Sequence, residues 1–135
     1  LTGRVVFTTR GSSFDTLAAV YSGPASSPTF ASLVPVASND NEVGLTTSRV
    51  EFNAIAGTTY YFALDGKAGA TGATTCILAV PPVNDHFAEP TILSGTDVTR
   101  VITTTHASRE VGEPIPYADR GRGESRWFNW TAPQS

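Results

Sequence analysis

Turn-forming residues interrupt this 135-residue chain so often, with 12 glycines and 9 prolines, that only short extended segments fit between them. The clearest is Arg49-Val50-Glu51-Phe52-Asn53, where apolar and polar residues alternate with the period of a half-buried strand. Val50 and Phe52 then face inward, and Tyr60, Phe62 and Leu64 form the next inward row. Ala56-Gly57-Thr58 supplies a hairpin turn between them. The same reasoning places strands at 4–9, 17–21, 30–37 and 74–80. Short strands at this spacing predict an all-β fold. We expect an antiparallel β-sandwich of about eight short strands with at most one short helical turn.

After Pro81-Pro82 the pattern resets, which divides the chain into 1–83 and 84–135. Asn84-Asp85 is placed to cap a helical turn that Pro90 would stop. Strands follow at 98–105 and 125–131, separated by an irregular stretch at 107–123 that holds Glu110, Glu113, Asp119 and three arginines. Loops of that length are functional or mobile. Joining Trp130-Thr131-Ala132-Pro133-Gln134-Ser135 to Leu1-Thr2-Gly3-Arg4 gives a strand, a turn and a strand without conflict. That seam leads us to expect one period of a tandem array or a head-to-tail polymer. Residues 84–135 would complete 1–83 of the same chain or of the next copy.

With 40% hydrophobic and 16% charged residues, the composition is that of a globular protein. The net charge of -3, with scattered Lys and Arg, carries no nucleic-acid footprint. No stretch approaches the roughly 20 apolar residues of a membrane span. The single cysteine, Cys76, is in phase with Leu78 and Val80 and reads as a small buried hydrophobe, the alternative being a disulfide to another subunit.

Enzyme chemistry finds little support. His86 follows Asn84-Asp85 and His106 ends a threonine strand, with neither a His-Glu-x-x-His nor a Gly-x-Ser-x-Gly motif beside them. Calcium is the stronger site hypothesis, because a hard cation needs about six to eight oxygens and several loops supply them. The candidate ligands are Asp15, Asn39, Asp40, Asn84, Asp85 and Glu113, and no EF-hand spacing joins them. Asn and Asp also bond their own backbone in turns, which explains the same residues without a metal.

Thr103, Thr104 and Thr105 suit a strand by their branching and, if exposed, would accept O-linked sugar. Asn129-Trp130-Thr131 is an N-glycosylation sequon that requires Asn129 to face outward. Alternation sends Phe128 and Trp130 to one face and Trp127 to the other, so Trp127 is the candidate for stacking on a sugar. Packing in the core is the reading that we favour for this aromatic set.

Several blocks together resemble a known family. They are Gly11-Ser12-Ser13-Phe14-Asp15-Thr16-Leu17-Ala18-Ala19-Val20-Tyr21-Ser22-Gly23, Val36-Ala37-Ser38-Asn39-Asp40-Asn41, Ser48-Arg49-Val50-Glu51-Phe52-Asn53, and Ala56-Gly57-Thr58-Thr59-Tyr60-Tyr61-Phe62-Ala63-Leu64-Asp65-Gly66. Asn84-Asp85-His86-Phe87, Glu110-Val111-Gly112-Glu113-Pro114 and Ser125-Arg126-Trp127-Phe128-Asn129-Trp130-Thr131-Ala132-Pro133 join them. These blocks resemble the bacterial pre-peptidase C-terminal-like domains, in rotated order, because here the tryptophan strand follows the Phe-Asp-Thr block. The resemblance implies a jelly-roll-like sandwich, export to the cell surface or beyond, and an accessory role with calcium, proteins or polysaccharides as ligands. His86 in place of Asn, Val111 in place of Pro and Ile115-Pro116 in place of Asn-His depart from the family pattern. From residues and resemblance together we expect an extracellular structural repeat that assembles with copies of itself into a fibre, stalk or adhesin. The alternative is a carbohydrate-binding or targeting module of a secreted hydrolase.

Overall fold

A computed structural model describes residues 1–114 and 124–134. Ile115, Pro116, Asp119, Arg120 and Arg122 lie outside the described residues. The chain forms two compact units, Leu1–Val80 and Pro81–Ser135, so the break falls at the first proline of the Pro81-Pro82 pair.

The first unit is a β-sandwich. Its strands are β1 (Gly3–Thr8), β2 (Thr16–Gly23), β3 (Val34–Asn39), β4 (Arg49–Ala54), β5 (Thr59–Gly66) and β6 (Ile77–Ala79). They form two antiparallel sheets of order β4-β1-β6 and β3-β2-β5. The alternation in β4 holds: Val50 and Phe52 are buried, while Arg49, Glu51 and Asn53 are not. With Val5, Phe7 and Ala54 they meet Ala18 and Val20 of the other sheet in the core. Each buried Val or Phe side chain contributes about 1.5–3 kcal/mol by leaving water, the main reason the two sheets stay together. Aromatic rings extend the contact, with Phe7 and Phe62 centroids 4.7 Å apart and Phe52 and Tyr60 5.0 Å apart.

Two local expectations need correction. The Ile55–Thr58 turn forms, with the Thr58 amide donating to the Ile55 carbonyl at 3.1 Å and Gly57 at φ +82°. It does not close a hairpin, however, because β4 pairs with β1 and β5 with β2; the turn carries the chain from one sheet to the other. Sequence 30–37 is not one strand. Ser32 caps Thr29 through a reciprocal pair of bonds at 3.0 and 2.8 Å, which bends Phe30–Ser32 into a 3-10 turn and leaves Phe30 exposed. A second 3-10 turn covers Lys67–Gly69.

A network of hydroxyls ties the end of the first unit where the 40–48 loop returns. Thr9, Thr16 and Ser48 are fully buried. The Ser48 amide donates to Thr9 Oγ1 at 2.8 Å and to Thr16 Oγ1 at 2.9 Å. The Arg49 amide donates to Asn39 Oδ1 at 3.0 Å. Buried Glu42 pairs with Arg10, whose Nε lies 3.2 Å from Glu42 Oε2. Each bond occupies a polar group that would otherwise be stranded away from water.

In the second unit the described strands are β7 (Thr91–Leu93) and β8 (Phe128–Trp130), paired in parallel. The expected strand at 98–105 does not form; those residues carry no regular structure, and the Thr103 and Thr105 hydroxyls bond each other at 2.7 Å. Threonine's preference for strands is weak without a partner to pair with. Asn84 and Asp85 do not cap a helix either. They reach across the unit: Asn84 Nδ2 donates to the Trp127 carbonyl at 2.8 Å, and Asp85 Oδ2 accepts from Ser108 Oγ at 3.1 Å.

Candidate functional site

The two flanks of the sandwich differ. On one, β3 lies against β4 and closes the gap between the sheets. On the other, the edge strands β5 and β6 border a cleft of about 520 Å³. Its walls include Val5 and Phe52 from within the sandwich, Tyr60 and Phe62 from β5, and Leu78 and Val80 from the β6 side. Leu78 and Val80 remain 59% and 58% exposed although they line this apolar space. The ladder explains the opening. β6 matches β1 only from Val6 to Thr8, and the chain then reaches Pro81-Pro82, which has no amide hydrogens to continue the pairing.

β5 is also unusual for an edge. It runs eight residues in full register with β2, and Asp65 is its one charged residue. β3, the other edge of the same sheet, contains Pro35 and a register shift opposite Val20 and Tyr21, both of which discourage further pairing. Among the described residues, no strand pairs with the outer side of β5.

The candidate calcium ligands fall in both units and are largely engaged. In the first unit, Asn39 accepts from Arg49. Asp40 Oδ2 accepts from Lys67 Nζ at 2.7 Å, and the Asp15 carbonyl accepts from the Lys67 amide at 3.0 Å. The Asp40 carboxylate, chiefly by hydrogen bonding, and the more distant charge of Asp15 push the Lys67 ammonium above its ordinary value of 10.5. An internal cation thus already stands beside the carboxylates expected to hold a metal. In the second unit, Asn84 Oδ1 accepts from Arg126 Nε at 2.6 Å, Asp85 holds Ser108, and Glu113 Oε2 accepts from the Glu110 amide at 3.0 Å. These are the bonds of side chains that fasten backbone and neighbours.

Cys76 is exposed, contrary to the buried position expected from its phase with Leu78 and Val80. It precedes β6, beyond the three residues that the ladder holds. Thr103, Thr104, Thr105 and Asn129 are all exposed. Phe128 is half-buried, Trp130 is 51% exposed, and the Trp130 indole donates to the Gly95 carbonyl at 2.7 Å.

Trp127, half-buried, sits with Phe87 in an edge-to-face pair with centroids 4.8 Å apart. The pair borders a pocket of about 360 Å³ completed by the 110–114 turn. Glu110 Oε2 accepts from the Phe87 amide at 2.7 Å and so fixes the turn to the aromatic corner. The sequence pointed to Trp127 and Glu113 separately. It gave no sign of Phe87 or Glu110 as their companions, because the contact spans 23 positions and depends on tertiary packing. With both candidate surfaces located, comparison with family models, curated proteins and solved structures finds no match to this chain.

Proposed function

We propose that this chain is an extracellular structural module that assembles with copies of itself through the open β5–β6 flank, building a fibre, stalk or adhesin. The observation that carries this reading is β5, a long, nearly uncharged edge strand beside an apolar cleft. Edge strands in monomeric proteins are normally blunted by charge, proline, bulges or a cover, and β5 shows little of this. An extended segment from another copy, laid along β5, satisfies the outward backbone groups and covers Phe62, Leu78 and Val80. The function is then assembly rather than turnover. Export to the cell surface rests on the resemblance to the pre-peptidase C-terminal-like blocks, which also implies calcium as a ligand. A calcium ion at Asp15 and Asp40 has to displace the Lys67 ammonium.

Negative-stain electron microscopy of the purified chain tests the proposal. Filaments or regular oligomers support it, and discrete single particles at all concentrations count against it. The second reading, a carbohydrate-binding or targeting module, draws on the exposure of Trp130 and the aromatic corner at Trp127. Specific binding to a glycan array by single particles favours that reading instead.

A further inference from the structure

The pocket of the second unit has a chemistry that self-assembly does not use. Its walls are two aromatic rings, Phe87 and Trp127, set edge to face. Its rim is a turn carrying two carboxylates, Glu110 and Glu113, with Val111 and Pro114 beside them. The turn is held by the Glu113 amide donating to the Glu110 carbonyl at 3.2 Å. Each carboxylate spends one oxygen on a backbone amide: Glu110 Oε2 on Phe87 and Glu113 Oε2 on Glu110. Among the described residues, no bond to the second oxygen of either is seen. Arg109, the neighbouring cation, donates to the Glu113 carbonyl at 3.4 Å. Among the described residues, the buried Trp127 indole nitrogen has no hydrogen-bond partner.

We infer that this pocket binds a guanidinium group, presented either by an arginine of a partner polypeptide or by a free arginine derivative. A cation is favoured over the face of an aromatic ring, and tryptophan is the strongest of the three ring types. Carboxylates at the rim add charge-assisted hydrogen bonds. A flat guanidinium can stack on a ring while its edge offers parallel donors to a carboxylate; a spherical ammonium cannot do both. The volume, about 360 Å³, lies near the lower end of the range for ligand pockets and suits one side chain rather than a large ligand.

The test is a titration of the 135-residue chain followed through the Trp127 indole N–H in 15N-edited NMR spectra. The probes are N-acetyl-arginine amide, N-acetyl-lysine amide, N-acetyl-citrulline amide, tetramethylammonium and the tripeptide Gly-Arg-Gly. The arginine probe should shift the Trp127 resonance and bind at least about tenfold more tightly than lysine, tetramethylammonium or neutral citrulline, a difference of about 1.4 kcal/mol. Glu113→Gln keeps the size and an amide oxygen for the Glu110 N–H, and should weaken arginine about tenfold with other resonances unmoved. Phe87→Leu, at a position 65% exposed and hence tolerant, should weaken it as well. Tighter binding of Gly-Arg-Gly assigns a polypeptide source, and equal binding assigns the free derivative. Citrulline binding as tightly as arginine, tetramethylammonium matching arginine, or an unmoved Trp127 resonance with all probes overturns the inference.

Discussion

Thr9 and Thr16 bring their hydroxyl oxygens to 2.6 Å of each other in the buried end of the sandwich, and the Ser48 amide donates to both. Neither hydroxyl touches water, so each relies on the other and on Ser48 for its hydrogen bonds. Replacing Thr16 by Val keeps the shape and removes the oxygen. Thr16→Val should therefore cost about 1–3 kcal/mol, read as a lower midpoint in urea unfolding. Thr104→Val, at an exposed position, should stay within about 0.5 kcal/mol of the parent.

Gly66 is required for space rather than for backbone conformation. Its φ of -99° is ordinary, but a Cβ there would lie 1.7 Å from the Ala70 carbonyl oxygen, which is backbone and cannot rotate away. Gly66→Ala should destabilise by about 1–3 kcal/mol or more through displacement of the 66–70 turn. Gly57 gives the contrasting case: a Cβ there meets nothing within 4 Å, and the cost comes from its φ of +82°. Gly57→Ala should cost about 1 kcal/mol. Thermal unfolding of the two variants side by side checks the order.

Lys67 should titrate above 10.5 in the folded protein, because ionised Asp40 and Asp15 favour its charged form. A raised folded value means that the stabilisation is fully present below the unfolded lysine value. It is lost as pH rises through the higher folded value. The Lys67 side chain is solvent-exposed, so salt should reduce the shift. NMR titration of the Lys67 side chain checks this, and Asp40→Asn should return it toward 10.5.

Cys76 should react with a thiol reagent in the native protein, with no denaturant, because it is exposed. A mass shift of one label per chain under native conditions is the expected outcome. Labelling that appears only after unfolding would place the thiol in the interior that its sequence phase suggested.

The sequence carried the local structure well where the pattern was long. Val50 and Phe52 are buried as their alternation required, and the turn at Gly57 lies where the glycine puts it. What that turn joins was not readable, since a hairpin and a crossover between sheets differ only in which distant strands pair. The same limit hid β7, three residues whose partner β8 is far along the chain. Leu78 and Val80 do face apolar space, but their exposure depends on how far β6 stays paired before Pro81. Of the expected site residues, Asp40, Asn84 and Asp85 stood out by chemistry alone. Their partners Lys67, Arg126 and Ser108 could not be named without the fold.

Sedimentation velocity over a range of concentrations, on the parent chain and on a Leu78→Lys, Val80→Lys double variant, bears most directly on the open flank. Both side chains are more than half exposed, so the lysines can reach water without disturbing the core, yet they charge the cleft beside β5. The parent should sediment as species heavier than the 14.2 kDa monomer, increasingly so with concentration, and the variant should remain at 14.2 kDa. A parent chain that stays at the monomer mass throughout, or a variant that associates as readily as the parent, would contradict assembly through this flank.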